Sequence, residues 1–218
     1  MTRIIVAGAS GLVGRQVVEQ LARHDGVETH ILLRIDSTSF APNVIQHVGS
    51  GAQWPAMVAA IAPEIAISCL GTTMKVAGSR EAFRAVDHDL LVSFAQAARK
   101  AGAQQMICVS SVGASTTASN FYLRTKGETE QALRKLDFER LDFIRPGLLT
   151  GGRRAETRTG ESIGIMLAPL TDLLMLGPLA KYASTPSARV AQAIVRLALG
   201  GGNGTYIHEN SEIGALAG

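Results

Sequence analysis

Ile4-Ile5-Val6-Ala7-Gly8-Ala9-Ser10-Gly11-Leu12-Val13-Gly14 is the stretch whose reading decides the fold. Four apolar residues run into a glycine, the pattern of a short strand buried on both faces. Residues 12–21 then carry Leu12, Val13, Val17 and Leu21 at helical spacing. The turn between strand and helix reads Gly-x-x-Gly-x-x-Gly. Glycine allows a tight turn and a close backbone approach to a pyrophosphate, and the helix behind it aims its first amides and positive dipole end at the phosphates. Glycine is common here, at 23 of 218 residues, so the spacing alone says little. Its place after a strand and before a helix carries the reading.

Outward from that turn, strand and helix patterns alternate. Strands are expected at 29–33, 44–48, 65–70, 106–109 and 141–144. Helices are expected at 55–61, 80–101 and 120–136. The alternation predicts an α/β protein, a Rossmann-type doubly wound parallel sheet with helices on both faces and strand order 3-2-1-4-5-6. Past residue 150 the pattern loosens, with a polar stretch containing Arg153, Arg154 and Arg158. An amphipathic helix at 189–199 and a possible last strand at Tyr206-Ile207 follow. The expected organisation is a single dinucleotide-binding domain over 1–218, with 148–188 as a small substrate-side insertion and C-terminal appendage.

Composition excludes several classes. The chain is 46% hydrophobic and 18% charged, which rules out disorder as the main state. A net charge of +3 is too small to make a phosphate-binding surface by itself, so no nucleic acid is expected. Cys69 and Cys108 lie far apart within apolar runs, which fits reduced thiols. With no charged segment leading into a long apolar one at the start, the expected location is cytoplasmic. His24, His30, His47, His88 and His208 have no helical pairing and no cysteine cluster, so they read as surface or cap residues and no metal is expected. Residues 163–180 are apolar, but Pro169, Pro178 and Asp172 interrupt them. They read as a buried helix pair or pocket wall rather than a stable membrane span.

Two further places carry chemistry. The end of the second strand should meet the adenosine ribose. An acid there suits NAD and an arginine suits the 2′-phosphate of NADP. Arg34 occupies it, so NADP(H) is favoured over NAD(H), with Asp36 as the dissenting residue. Tyr122 and Lys126 lie four apart on an expected helix and so share a face. An ammonium beside a phenol favours its ionised form. Val109-Ser110-Ser111 places hydroxyls at the carboxyl end of the fifth strand, where ligands of open α/β sheets sit. Serine, tyrosine and lysine together suit carbonyl binding and proton transfer.

With these residues the chain resembles the short-chain dehydrogenase/reductase superfamily, in its extended or atypical branches. Cys69-Leu70-Gly71-Thr72-Thr73, Val86-Asp87, Val109-Ser110-Ser111, Ser119-Asn120-Phe121, Lys126-Gly127-Glu128 and Arg145-Pro146-Gly147 are similar to the Tat-interacting-protein-like oxidoreductases. The resemblance spans about residues 3 to 200. It implies that Gly8, Ser10, Gly11, Leu12 and Gly14 wrap the pyrophosphate. Arg34 and Ile35 would face the 2′-phosphate, Leu70 and Gly71 the adenine-side ribose, and Pro146 and Gly147 the nicotinamide. Tyr122 would be the proton donor, Lys126 the ribose-binding cation that tunes it, and Ser111 the holder of the carbonyl oxygen, with Ser110 as its competitor. Gly49-Ser50-Gly51 stands where family members often carry an acid near the adenine.

The function expected is an NADPH-dependent reductase of a small, apolar carbonyl substrate. The alternative is a non-catalytic NADP(H)-binding regulator that meets a protein partner. A nucleotide-sugar enzyme is disfavoured, because only about 70 residues follow the sixth strand, little for a sugar-nucleotide lobe.

Overall fold

The structure, a computed structural model, describes residues 1–151 and 183–218. Its main sheet has seven strands: β1 (Thr2–Ala7), β2 (Val27–Leu33), β3 (Val44–Val48), β4 (Ile65–Ser68), β5 (Gln105–Val109), β6 (Arg140–Ile144) and the late β9 (Gly204–His208). Their order is β3-β2-β1-β4-β5-β6-β9, and every neighbouring pair is parallel. The expected order is borne out, with β9 added outside β6. A two-stranded parallel pair joins β7 (Leu149–Thr150) to β8 (Thr185–Pro186).

The side-chain period of two sorts the strands between two cores. Ile4, Val6, Ile31, Leu33 and Ile67 pack with α1 (Leu12–Leu21) and α7 (Ser187–Leu199). Ile5, Ala7, Leu32, Ala66 and Cys108 pack on the other face with α2 (Trp54–Ile61) and α5 (Leu91–Lys100). Burial on both faces explains why these strands read as apolar runs rather than alternations. All the strands point the same way, so their carboxyl ends share one edge of the sheet. The Gly8 turn, the residues after Leu33, Cys69-Leu70-Gly71 and Ser110-Ser111 all lie along it.

Several expectations need correction. The single helix over 80–101 is instead α4 (Arg80–Arg84), a π-helical segment (Ala85–Leu90) and α5. Strand β4 stops at Ser68, and Leu70 lies beyond it, buried in the α5-side core. His30 is not a surface residue. It is buried beneath the β2–β3 edge, stacked on His47 with ring centroids 5.2 Å apart and bonded to Glu28 at 2.7 Å. Two short helices, α3 (Met74–Ala77) and the C-terminal α8 (Asn210–Ala217), were not expected. The arginines at 153, 154 and 158 and the apolar stretch 163–180 lie outside the described residues, as does most of 148–188. Among the described residues no helix is long and apolar enough to cross a membrane.

Candidate active site

The glycine turn is built by contact as much as by conformation. Gly8 has φ +81°, and a Cβ there would lie 2.5 Å from the carbonyl carbon of Cys69. A Cβ at Gly14 would lie 2.2 Å from the Gly8 oxygen. These two glycines let β1, α1 and the end of β4 close on one another. Gly11 differs: among the described residues a Cβ there would meet only the Gly8 oxygen, at 3.2 Å, and it is the N-cap of α1. That N-cap has no side-chain hydrogen bond, and the first turn holds no acid. Among the described residues, a helix start left this way offers free amides and positive potential, which fit a dinucleotide pyrophosphate. Ser10 is exposed beside it and Leu12 half-buried.

Arg34 directly follows β2 and is exposed, with no ion pair among the described residues. Ile35 is 80% exposed. The Asp36 carboxylate accepts the Ser37 amide at 2.8 Å, a local turn contact. A Cβ at Gly49 would meet Met57 Cε at 2.4 Å and one at Gly51 would meet Leu90 Cδ1 at 2.7 Å, both the far ends of flexible side chains.

The other half of the site is α6 (Phe121–Arg134). Asn120 caps it, accepting the Leu123 amide. Tyr122 is half-buried against Phe83, ring centroids 5.6 Å apart, and its hydroxyl has no hydrogen-bond partner among the described residues. One turn later Lys126 is buried, with Nζ 2.8 Å from Asp87 Oδ1 in the π segment. Burial opposes the charge on Lys126, but Asp87, with Tyr122 and Cys108 behind it, outweighs burial and raises the lysine pKa. A Cβ at Gly71 would come within 3.8 Å of Lys126 Nζ and 3.6 Å of Asp87 Oδ1. Leu70 touches the other end of this chain of contacts, its amide 2.7 Å from a Cβ at Gly8. The glycine turn and the tyrosine–lysine helix therefore meet across the end of β4.

The two serines separate cleanly. Ser110 is buried and donates to Glu130 Oε1 at 2.6 Å. Glu130 also accepts Arg145 Nε at 2.9 Å and Nη2 at 2.6 Å. The Ser110 hydroxyl thus belongs to a buried network tying β5, α6 and the end of β6. Ser111 is half-buried and, among the described residues, donates only to the carbonyl of its neighbour Val112, at 3.3 Å. Its loop is pinned: Val112 N donates to the Pro146 oxygen, and the Gly147 amide donates to Thr185 Oγ1 at 3.2 Å.

Asp87 is the residue to which sequence reasoning assigned no role. Its signal was present: Phe83, Asp87 and Leu91 fall at four-residue steps, an acid in the middle of an inward-facing apolar stripe. A buried carboxylate needs a partner. Glu130, one turn after Lys126, has no such apolar stripe around it, since the buried face of its helix is Thr125, Lys126, Gly127, Thr129 and Leu133.

Comparison with known proteins agrees with this frame. The chain matches the family described as NAD(P)H-binding over residues 8–199. It is 31% identical to the mitochondrial protein FMP52 of Coccidioides immitis, covering 100% of this chain and 94% of that one. It is 34% identical to its counterpart in Emericella nidulans, covering 77% and 75%. Among solved structures it is similar to the UDP-glucose 4-epimerase of Thermotoga maritima, with TM-score 0.71, 16% identity and 95% and 77% coverage. It is also similar to the Bordetella bronchiseptica enzyme WbmH in complex with NAD+, with TM-score 0.70, 15% identity and 96% and 76% coverage. The resemblance to atypical short-chain dehydrogenase/reductases and the Rossmann-type fold are borne out. The cytoplasmic expectation is corrected, because the FMP52 relatives are named as mitochondrial proteins.

Proposed function

The chain belongs to the NAD(P)H-binding family, and on that premise we propose that it is an NADP(H)-dependent oxidoreductase reducing a small, apolar carbonyl compound. One observation carries the reading. A free helix start behind a glycine turn and a Tyr122/Lys126 pair meet across the end of β4, at the carboxyl edge of the sheet. Ligands of open parallel sheets bind at that edge.

In this reading Gly8, Ser10, Gly11, Leu12 and Gly14 hold the pyrophosphate on the amides of α1. Arg34, with Ile35 beside it, grips the 2′-phosphate, for which a planar guanidinium is suited. Leu70 offers backbone only, since its side chain is buried; Gly71 passes close to a ribose. Lys126 binds the other ribose, and Pro146 and Gly147 border the nicotinamide. When bound there, the reduced nicotinamide supplies a hydride to the carbonyl carbon. Ser111 holds the carbonyl oxygen, and Tyr122 donates its phenolic proton to that oxygen as the alkoxide forms. The segment 148–188 supplies the substrate side.

The test is Tyr122→Phe, assayed by NADPH oxidation against a panel of aldehydes, ketones and quinones. Turnover should fall by about 10²–10⁴-fold, the usual worth of a positioned acid, while NADPH affinity stays unchanged. Undiminished turnover would remove Tyr122 from its role. A wild-type protein that binds NADPH but turns over nothing on the panel would favour the regulator instead.

A further inference from the structure

The Asp87–Lys126 pair is more than the tyrosine–lysine spacing requires. Both side chains are shut off from solvent, at 0% and 5% exposure, with Oδ1 and Nζ 2.8 Å apart. An ammonium enclosed in this way without a partner would shed its proton. The partner is itself fixed from two sides. Asp87 Oδ2 accepts the Thr72 amide at 2.8 Å, from the turn between β4 and α3. The Asp87 carbonyl accepts Thr129 Oγ1 at 2.9 Å, from α6. The second bond answers a need of the π segment, where widening of the helix displaces carbonyls from their regular partners. The helix departs from α geometry where Asp87 turns inward. Above the pair stands exposed Gly71, with no side chain between the ammonium and the outside.

We infer that Asp87 is a positioning residue, whose carboxylate keeps the buried Lys126 ammonium charged and directed at the open position beside Gly71. The inference rests on the proposed function for what Lys126 meets there, a ribose diol of the cofactor. The pairing stands on the free protein alone. An ammonium donates three hydrogen bonds and a neutral amine fewer, so a charged Lys126 can hold Asp87 and a diol together. Among the described residues, the other titratable groups facing it are Tyr122 on its own helix and Cys108 on β5. Glu130, one turn along, is taken up by Arg145 and Ser110.

The chain has five lysines, Lys75, Lys100, Lys126, Lys135 and Lys181, so lysine labelled with ¹³C at Cε gives a spectrum that Lys126→Met assigns. In the free wild-type protein Lys126 should titrate above the exposed Lys75, Lys100 and Lys135. In Asp87→Asn it should titrate below them, by about 2.5 pH units or more. Asp87→Glu should restore much of the wild-type behaviour. NADPH affinity, read by fluorescence, should be nearly flat from pH 7 to 9 in wild type. In Asp87→Asn it should fall about tenfold over the same range, and that fall should vanish in Asp87→Asn/Lys126→Met. Should Asp87→Asn not fold, the wild-type titration still decides, because a Lys126 that deprotonates before the exposed lysines overturns the inference. Equal Lys126 titrations in wild type and Asp87→Asn overturn it as well. If the titrations behave as stated but no form binds NADPH, the dinucleotide reading fails and the pairing survives.

Discussion

At the scale of single residues, the three glycines of the turn do different work, and substitution separates them. Gly8→Ala meets a positive φ, costing about 1–2 kcal/mol by conformation alone, and a Cβ 2.5 Å from backbone that cannot yield. It should lower the melting temperature and abolish cofactor binding together. Gly11→Ala finds ordinary backbone angles and one contact at 3.2 Å. It should fold with a near-normal melting temperature and bind NADPH about tenfold more weakly or worse, a loss of roughly 1.4 kcal/mol or more. Thermal melts and fluorescence titrations on both variants check this. The spacing of these glycines was legible in the sequence, but which of them the fold consumes was not, because it depends on where β4 ends. His47 teaches the same lesson. Burial and the adjacent His30 hold its pKa below 6.5. The unfolded chain therefore binds the proton more readily, and stability should rise with pH across the window just below 6.5. His47→Gln should flatten that dependence, read as urea midpoints at pH 5 and 7.5. No local pattern marks His30 and His47 as partners. Parallel pairing of β2 with β3 brings them together.

At the scale of elements, α6 and its neighbours position the chemistry. The loop after Ser111 crosses α6 at Gly127, where a Cβ would lie 2.2 Å from the Ser115 carbonyl carbon. Glycine to alanine inside a helix ordinarily stabilises by about 1 kcal/mol. Here the clash with backbone reverses the sign. Gly127→Ala should lower the melting temperature and displace the Ser111 loop, seen as a fall in turnover larger than the fall in NADPH affinity. On β5, burial pushes the Cys108 thiol up to about 12. It should stay unreactive toward thiol reagents until the protein unfolds, as a timed labelling experiment would show. The parallel strands were legible as apolar runs, and β3 matches its expected bounds at 44–48. The π segment was not. The apolar stripe through Phe83, Leu91 and Phe94 reads as one continuous helix, and the interruption falls where Asp87 meets Thr72 and Lys126, contacts that no local pattern announces. The short helices α3 and α8 lacked the length for a periodic signal. Ser110 and Ser111 could not be told apart in sequence, since the partner of Ser110 is Glu130, twenty residues later.

At the scale of the whole molecule, the account is that seven parallel strands place a phosphate-binding turn, a basic strand end and a tyrosine–lysine helix along one edge, where one extended dinucleotide can reach all three. A ligand that binds only the folded form raises stability by mass action, by about 2.7 kcal/mol at a hundred times its dissociation constant. Saturating NADPH should therefore raise the melting temperature of the wild-type protein, and much less that of Gly11→Ala. The most direct test is to measure the dissociation constants of NADPH and NADH side by side, on the wild-type protein at one salt concentration. The account predicts measurable binding of both, with NADPH about tenfold tighter or more through the 2′-phosphate on Arg34. Binding of neither would contradict the central claim, and NADH the tighter of the two would remove Arg34 from its assigned role.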